Sequence, residues 1–223
     1  MATHVFSPGS EDRLLVILGR SNEGPVELEG AALVGHLRNL LVPAATSDYQ
    51  VYISSTSESE AAVPMFGIFC LYHSSTSVIS ENFTDEVKCT LESAKSGLGL
   101  DCRLYSTHSQ NPVALTNSMP MTHTLVFNAM TPSTASEQSF NDWYAEEHIP
   151  LLSRVPGWLA SRRFKLISAT MKAPAYLALH AFTSVSAFEQ REYEAATNTP
   201  WRTEVIGQVI EKERIVLERR RNY

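Results

Sequence analysis

Residues 140–152 read FNDWYAEEHIPLL, and they are followed by VPGW at 155–158 and by RRF at 162–164. The spacing of the apolar residues predicts one amphipathic helix that carries an aromatic pair, two adjacent carboxylates and a histidine. The proline and glycine that follow predict a turn, and the next residues predict a strand. A histidine close to the apolar face of a helix is unusual enough to suggest that it faces a pocket.

His148 is the first candidate for chemistry, because histidine is the side chain best suited to moving protons near neutral pH. It shares one side of the predicted helix with Tyr144, one turn earlier, which is its expected hydrogen-bond partner. Trp143 and Glu147 lie on the adjacent side, where we expect them to contact a substrate. The alternative interpretation is structural, with a histidine that is satisfied inside the core and a tryptophan that only packs.

The chain contains the same order of predicted elements twice, with an offset of roughly 110 positions. Each half reads strand, helix, strand, strand, helix, strand. In the first half these elements are predicted at 13–19, 28–41, 49–54, 65–72, 78–94 and 100–106. In the second half they are predicted at 124–129, 136–152, 158–166, 175–182, 185–209 and 214–219. This is the order of the ferredoxin-like βαββαβ unit, so the sequence predicts an α+β fold of two tandem units.

A single unit of this kind leaves one apolar face of its sheet uncovered. Two units in one chain can cover each other, and we therefore expect an intramolecular pseudo-dimer. The predicted domains are residues 1–110 and residues 122–223, joined by a linker at 111–121 that is rich in turn-forming residues. The polar residues 56–63 predict a loop, and Pro200 predicts a break in the last helical region at 196–201.

The segment D-W-Y-x-E-E-H-x-P-L at 142–151, with P-G-W and R-R-F after it, resembles the EthD-like branch of the dimeric α+β barrel proteins. The resemblance implies that the two ferredoxin-like units pair their sheets into a barrel. It also implies that His148 lies in the barrel cavity as an acid or base, with Tyr144 and Trp143 beside it. The first half has LLVP at 40–43 where the second half has EHIP at 147–150, so we expect one site per chain.

Four further residues are candidates for substrate binding: Tyr176, His180, Arg163 and Trp201. Tyr176 and His180 share one side of a predicted strand, although the alternation alone leaves open whether that side faces the barrel or the helices. Arg162 and Arg163 are neighbours in a strand, so one points to each side. An inward arginine would hold a substrate carboxylate or enolate, and the alternative is a surface ion pair. Trp201 is expected to cap the site or to pack the second helix.

Composition excludes several classes of function. The formal net charge of −6 at pH 7 argues against nucleic acid as a partner. Three cysteines without C-x-x-C spacing predict reduced thiols instead of a disulfide framework or a zinc site. No window reaches the ~18 apolar residues of a membrane span, so we expect a soluble, cytoplasmic protein.

Unpaired strand edges could pair with a second copy of the chain, so a homodimer is a possible assembly. His73 and His108 end predicted strands and are expected to be exposed.

Motifs for nucleotides, metals and acyl transfer are missing from the sequence, so no cofactor is expected. A haem bound through one histidine stays an open alternative. With what the resemblance implies, we expect a cofactor-free enzyme of specialised metabolism that takes an apolar, polyketide-like small molecule into the barrel cavity. The preferred reactions are cyclisation, including the pericyclic case, or decarboxylation. The alternatives are a cofactor-free monooxygenase or isomerase, and a non-catalytic small-molecule binding protein.

Overall fold

The computed structural model describes residues 12–21, 33, 35–37, 48–54, 66–73, 82–94, 97–108 and 123–219. The strands are β1 (Asp12–Ser21), β2 (Asp48–Ser54), β3 (Phe66–His73), β4 (Leu98–Thr107), β5 (Thr124–Pro132), β6 (Trp158–Ala169), β7 (Tyr176–Phe182) and β8 (Val209–Arg219). The helices are α1 (Phe83–Ala94), α2 (Glu137–Trp143), α3 (Ile149–Leu152), α4 (Arg191–Thr197) and α5 (Pro200–Gly207). A π-helical turn, Tyr144–His148, joins α2 to α3, and short 3-10 helices cover Thr134–Ser136 and Val185–Glu189.

The eight strands close into one antiparallel barrel in the order β1-β3-β2-β8-β5-β7-β6-β4, with β4 paired back to β1. Within each half the order is fourth, first, third, second strand, which is the ferredoxin-like arrangement. The halves join at two seams, where β2 pairs with β8 and β4 pairs with β6. The predicted fold class, two ferredoxin-like units in an intramolecular α+β barrel, is confirmed.

Side chains alternate between the two faces of each strand, and both faces are buried in much of the barrel. The inward face of β5 carries Leu125, Phe127 and Ala129, which pack in one apolar cluster with residues from both halves. The outward face of the same strand carries Val126, Asn128 and Met130 beneath the helices. Apolar side chains from both sheets therefore fill the barrel interior, and the helices form a separate outer layer.

An ion-pair group that includes Arg103 lies inside this barrel. Arg103 of β4 bonds Asp101 at 2.7 Å and Glu213 of β8 at 2.6 Å, and its guanidinium lies 5.7 Å from the ring centre of Phe127. Arg103 and Asp101 come from the first half, and Glu213 comes from the second. This ion-pair group connects the two halves across the barrel.

The second half is the part that positions the candidate site. Residues 137–152, which we call the site helix, cover the outer faces of β5 and β7. The chain leaves this helix through a tight turn at Gly157, whose φ of +86° is readily adopted only by glycine. The predicted interruption near Pro200 is present, because α4 ends at Thr197 and Pro200 begins α5. Proline is favoured at that first helical position.

Several predicted segments lie outside the described residues, namely the linker at 111–121, the loop at 56–63 and most of the helix at 28–41. In that last region only Leu33, Gly35, His36 and Leu37 are described, and all four are helical. Within the described ranges, no helix combines the length and apolar character needed to cross a membrane.

Candidate functional site

The site helix brings its aromatic residues and His148 onto the outer face of the second sheet. Phe140, Trp143 and Tyr144 are buried there with Tyr176 and Ala178 of β7. His148 belongs to this outer layer and not to the barrel interior. The expectation that His148 lies in the barrel cavity is therefore wrong. The reason is geometric: the helix that follows β5 crosses the outer face of the sheet, while the inner face is covered by the other half.

The π-helical turn shapes this cluster. Its backbone bond runs from the N–H of Ile149 to the carbonyl of Tyr144, five residues earlier. Pro150 gives a physical reason, because it has no N–H and its ring would clash with the carbonyl four residues before it in a regular α-helix. A π-helical turn contains more residues than an α-helical turn, so side chains five positions apart, such as Trp143 and His148, lie on nearly the same side of the helix. Their rings stack, with centres 4.4 Å apart and an interplanar angle of 23°.

His148 is buried and neutral at neutral pH. Only 5% of its surface is exposed, and its Nδ1 lies 3.3 Å from the carbonyl oxygen of Ala196 in α4. Burial lowers the pKa of His148 to about 4, an effect that the Ala196 carbonyl opposes and that Arg202 and Arg163 reinforce. Its Nε2 has no hydrogen-bond partner among the described residues. A neutral imidazole with one unpaired nitrogen is suited to accept a proton.

A second histidine lies directly beside it. His180 of β7 is 3% exposed, and its ring centre is 5.7 Å from that of His148, nearly perpendicular. Its Nδ1 is 2.7 Å from the hydroxyl of Ser161, which also receives the indole N–H of Trp158 at 3.0 Å. The other nitrogen, Nε2, is buried without a partner in the described structure. Burial lowers the pKa of His180 well below its ordinary value, and the neighbouring His148 is the second largest cause of this shift.

Tyr144 lies against both histidines. Its ring centre is 5.4 Å from that of His148 and 6.3 Å from that of His180. The phenol accepts a long hydrogen bond, 3.4 Å, from the amide of Asn128. Burial raises the pKa of Tyr144 to about 12, so the phenol stays protonated and can donate a hydrogen bond.

Arg163 supplies a buried positive charge. It is 2% exposed, and its guanidinium lies 4.2 Å from the ring centre of Tyr144, with Phe140 and Tyr176 at 5.2 and 5.5 Å. Its Nη2 donates to Asn141 Oδ1 at 2.8 Å, whereas its Nε has no partner and no carboxylate pairs with it among the described residues. Burial lowers the pKa of Arg163 to about 10. Its neighbour Arg162 points the other way, to Thr107 and Phe164 inside the barrel.

The first half of the chain also reaches this cluster. His108, just after β4, is half-buried, and its ring lies 4.9 Å from that of Tyr176. Its Nε2 is 3.2 Å from Asn141 Oδ1, the same oxygen that Arg163 donates to. Burial and the charge of Arg163 lower the pKa of His108. The expectation that His108 is exposed is wrong, because the β4–β6 seam brings the end of β4 against the second half.

The remaining predicted site residues, Tyr176, Glu147 and Trp201, have hydrogen-bond partners of their own. The Tyr176 hydroxyl donates to Glu137, which also receives Lys165 at 3.3 Å. Glu147 Oε1 accepts from the hydroxyl of Thr199 at 2.5 Å, and the indole N–H of Trp201 donates to Ser139 at 3.3 Å. The structure therefore brings together His148, Tyr144, Trp143, His180, Arg163 and the ring of Tyr176. Glu147 and Trp201 are bonded to Thr199 and Ser139 instead.

Sequence reasoning missed four polar residues of this cluster: Ser161, Asn128, Asn141 and His108. One signal was available, because Ser161 is two positions from Arg163 in a strand and so points to the same side. The other contacts join residues far apart in sequence. No group of three histidine, cysteine or carboxylate side chains with metal-binding geometry occurs in the described part of the chain.

Three unpartnered polar atoms are concentrated in this layer: Trp143 Nε1, Arg163 Nε and His180 Nε2. Buried polar atoms without a hydrogen-bond partner are rare in folded proteins, so three of them in one layer indicate a functional role. Trp143 Nε1 and Arg163 Nε are hydrogen-bond donors, and they lie with the imidazoles of His148 and His180 among aromatic rings. Such a set can bind an organic molecule that carries an electronegative oxygen.

No protein-family model and no curated protein sequence matches this chain. Solved structures do match. A structure of an anthrone oxidase-like protein has a TM-score of 0.59 at 13% identity, over 96% of this chain and 92% of that one. A mutant chlorite dismutase from Candidatus Nitrospira defluvii has a TM-score of 0.61 at 7% identity, over 95% and 92%. A "putative monooxygenase" from Lactobacillus acidophilus gives 0.53 at 11%, over 94% of both chains. At these identities the likeness concerns the fold, and the fold of this chain is that of the dimeric α+β barrel proteins.

Proposed function

We propose that this protein is a cofactor-independent enzyme of specialised metabolism that acts on a small, largely apolar organic molecule bound between the site helix and the second sheet. The observation that supports it is the set of buried polar atoms without partners around His148. Leaving such groups unpaired destabilises a folded protein by about 1–3 kcal/mol each, so their retention favours a role in binding. The similarity of residues 142–151 to the EthD-like segment supports the same assignment.

His148 is the proposed acid or base. Because its ring is neutral at neutral pH, it can take a proton from a substrate hydroxyl or from a carbon next to a carbonyl. The charge of Arg163 stabilises the enolate or carboxylate oxygen on the substrate. Tyr144 donates a hydrogen bond from its protonated phenol. Trp143 and the other rings bind the apolar part of the molecule.

The preferred reactions are cyclisation or decarboxylation. In a decarboxylation, the carboxylate lies near Arg163, carbon dioxide leaves, and the resulting enolate receives a proton from the phenol of Tyr144, which water then reprotonates. In a cyclisation, the aromatic walls hold the substrate in a reactive conformation, which lowers the orientational entropy cost of the barrier. In its pericyclic form, the site polarises a carbonyl and no proton moves.

A second candidate is oxygenation without a cofactor. The names of the similar structures favour it, since one is anthrone oxidase-like and another carries a monooxygenase name. In this reaction a substrate deprotonated by His148 would give electrons to molecular oxygen. Dioxygen is then a second substrate, and the product gains oxygen atoms.

The test begins with the native host from which this gene has been deleted. The compound that accumulates is purified and incubated with the protein, without added cofactor, in air and without oxygen. We expect conversion by the native protein and by His36→Gln, an exposed control, and none by His148→Gln. An unchanged mass identifies cyclisation or isomerisation, loss of carbon dioxide identifies decarboxylation, and a gain that requires air identifies oxygenation.

A compound that binds tightly but stays unchanged would indicate a binding protein and contradict the enzyme assignment. Full turnover by His148→Gln would contradict the role of His148. An absorption spectrum of the purified protein is recorded first, because a Soret band would show that haem is bound.

A further inference from the structure

We infer that His180, held in one tautomer by Ser161 and Trp158, is a second catalytic group, which donates a hydrogen bond from Nε2 to a carbonyl oxygen of the substrate while His148 accepts a proton. The substrate class that fits this pair is an enolisable carbonyl compound. This inference rests on the proposed function, because it concerns the same site.

The tautomer of His180 follows from the direction of its hydrogen bonds. An indole N–H can only donate, so Trp158 gives its proton to the oxygen of Ser161, at 3.0 Å. Ser161 is buried, and Nδ1 of His180, at 2.7 Å, is the one acceptor that its hydroxyl proton meets among the described residues, so Ser161 donates to Nδ1. With Nδ1 as the acceptor, the proton of the neutral ring resides on Nε2. Nε2 of His180, the buried nitrogen without a partner, is therefore a donor.

His148 has the opposite tautomer. Its Nδ1 faces the carbonyl oxygen of Ala196 at 3.3 Å, and a carbonyl can only accept, so this nitrogen carries the proton. Nε2 of His148 is then the acceptor. The structure thus places a neutral imidazole with a free lone pair beside a neutral imidazole with an unpartnered N–H, their ring centres 5.7 Å apart.

No described residue accepts a hydrogen bond from Nε2 of His180. The charged groups around it, Arg163 and Arg214, are positive and cannot accept. An incoming oxygen with negative or partly negative charge is the partner that this environment favours. Neutral imidazole is known to act in this way as an electrophile toward carbonyl oxygens in enolisation.

The reaction step balances without a further reactant. His148 Nε2 takes a proton from the carbon next to the carbonyl, and the C–H electrons form a C=C bond. The carbonyl π electrons move to oxygen, which the N–H of His180 and the charge of Arg163 stabilise. His148 then returns the proton. If the enolate carbon has attacked a second carbonyl of the same substrate, the proton goes to the new alkoxide and a ring has closed. If no second carbonyl is attacked, His148 returns the proton to a different atom of the enolate from the one it left, and the substrate has isomerised.

His148 and His180 are the catalytic residues in this scheme, whereas Ser161 and Trp158 are positioning residues. The variant Ser161→Ala removes the hydroxyl that fixes the tautomer and leaves His180 in place. Ser161→Thr keeps the hydroxyl, and Ser93→Ala, on the exposed face of α1, is the control for the loss of a serine hydroxyl.

The first readout is the ¹⁵N spectrum of the imidazoles in the native protein and in these variants. In the native protein we expect His180 to show a protonated Nε2 and an unprotonated Nδ1, and His148 to show the reverse. Ser161→Ala should give His180 a mixture of tautomers, and Ser161→Thr should restore the native pattern. A protonated Nδ1 on His180 in the native protein, or a native pattern in Ser161→Ala, would overturn the inference whatever the protein's function.

The second readout is exchange of the carbon-bound protons of benzoylacetone, an aromatic β-diketone, for deuterium in heavy water. The native protein should accelerate the exchange, and Ser161→Ala should lower its kcat by about tenfold or more, with little change in KM. Equal kcat values for the two proteins, or no acceleration by the native protein, would reject His180 and the substrate class. In that case the proposed function survives as long as His148→Gln still abolishes conversion of the host compound.

Discussion

His148 and His180 are both neutral in the folded protein at neutral pH, because burial lowers the pKa of each ring. At the scale of single residues this is the main electrostatic feature of the site. The nearby charged groups, Arg163 and Arg202, act in the same direction on His148. A protonated histidine in this layer would be both desolvated and repelled. The free energy of unfolding must therefore depend on pH, because these two histidines bind protons more weakly in the folded protein than in the unfolded chain.

The expected effect for His148 is a loss of stability in acid. Its pKa is 6.5 when unfolded and about 4 when folded, so between these values the unfolded chain binds a proton that the folded protein does not. The stabilising contribution of neutral His148 is complete above pH 6.5 and falls as the pH drops toward 4. Relative to His148→Gln, the native free energy of unfolding should decrease by about 2 kcal/mol between pH 7 and pH 5.

Urea denaturation of both proteins at a series of pH values measures this difference. His180 is present in both proteins, so the part of its pKa shift that burial causes cancels in the difference, whereas the part that His148 causes belongs to the measured effect. A difference between native protein and variant that does not change with pH would show that His148 titrates normally in the folded state.

At the scale of elements, the site depends on two irregular joints in the helical layer. The π-helical turn before Pro150 aligns Trp143 with His148. The break between α4 and α5 is held by Thr199, whose hydroxyl accepts the backbone N–H of Arg202 at 3.1 Å and donates to Glu147 at 2.5 Å. One side chain thus caps α5 and ties it to the site helix.

Thr199→Ala should lower the free energy of unfolding by about 1–2 kcal/mol, because it removes the cap and leaves Glu147 without this donor. Thr199→Ser keeps the hydroxyl and should retain most of the stability. Thr203→Ala is the matched control, since that exposed hydroxyl bonds only the backbone carbonyl of Thr199, which the Thr199 variants retain. Denaturant melts of the three variants provide the measurement. Equal losses for Thr199→Ala and Thr203→Ala would show that the cap contributes little.

At the scale of the whole molecule, the two halves share one barrel. The β2–β8 and β4–β6 seams and the Arg103 ion-pair group connect them. Neither sheet can expose its inner face without opening the apolar interior that both halves fill. We therefore expect the halves to unfold together, although each has the strand order of an independent unit.

All three tryptophans, Trp143, Trp158 and Trp201, lie in the second half, whereas circular dichroism reports on both halves. Denaturation curves from tryptophan fluorescence and from circular dichroism should coincide. Arg103→Met should shift both curves equally, by about 3 kcal/mol, because it leaves two largely buried carboxylates unpaired. Lys88→Met breaks an exposed pair with Glu92 and should change stability by less than about 0.5 kcal/mol. A second transition seen only by circular dichroism would contradict the shared barrel.

Much of the architecture could be predicted because its signals are local. Apolar residues with a period of two or of three to four mark strands and helices, and their order repeats in the two halves. Tyr144 and His148 are four residues apart, so their common side of a helix follows from the sequence. The opposite directions of Arg162 and Arg163 follow in the same way from the alternation of a strand.

Local patterns in the sequence were thus sufficient to predict the order of elements, the α+β class with two units, and which side chains of one element share a face. The packing of the elements against one another decided which face of the second sheet the site helix covers, and hence that His148 lies in the outer layer. It also decided the contacts of His148 with Ala196, of Ser161 with His180, and of Asn141 with His108. The physical reason is the range of the interactions. Periodicity is a property of neighbouring residues, whereas hydrogen-bond partners and burial depend on packing between segments that are distant in sequence.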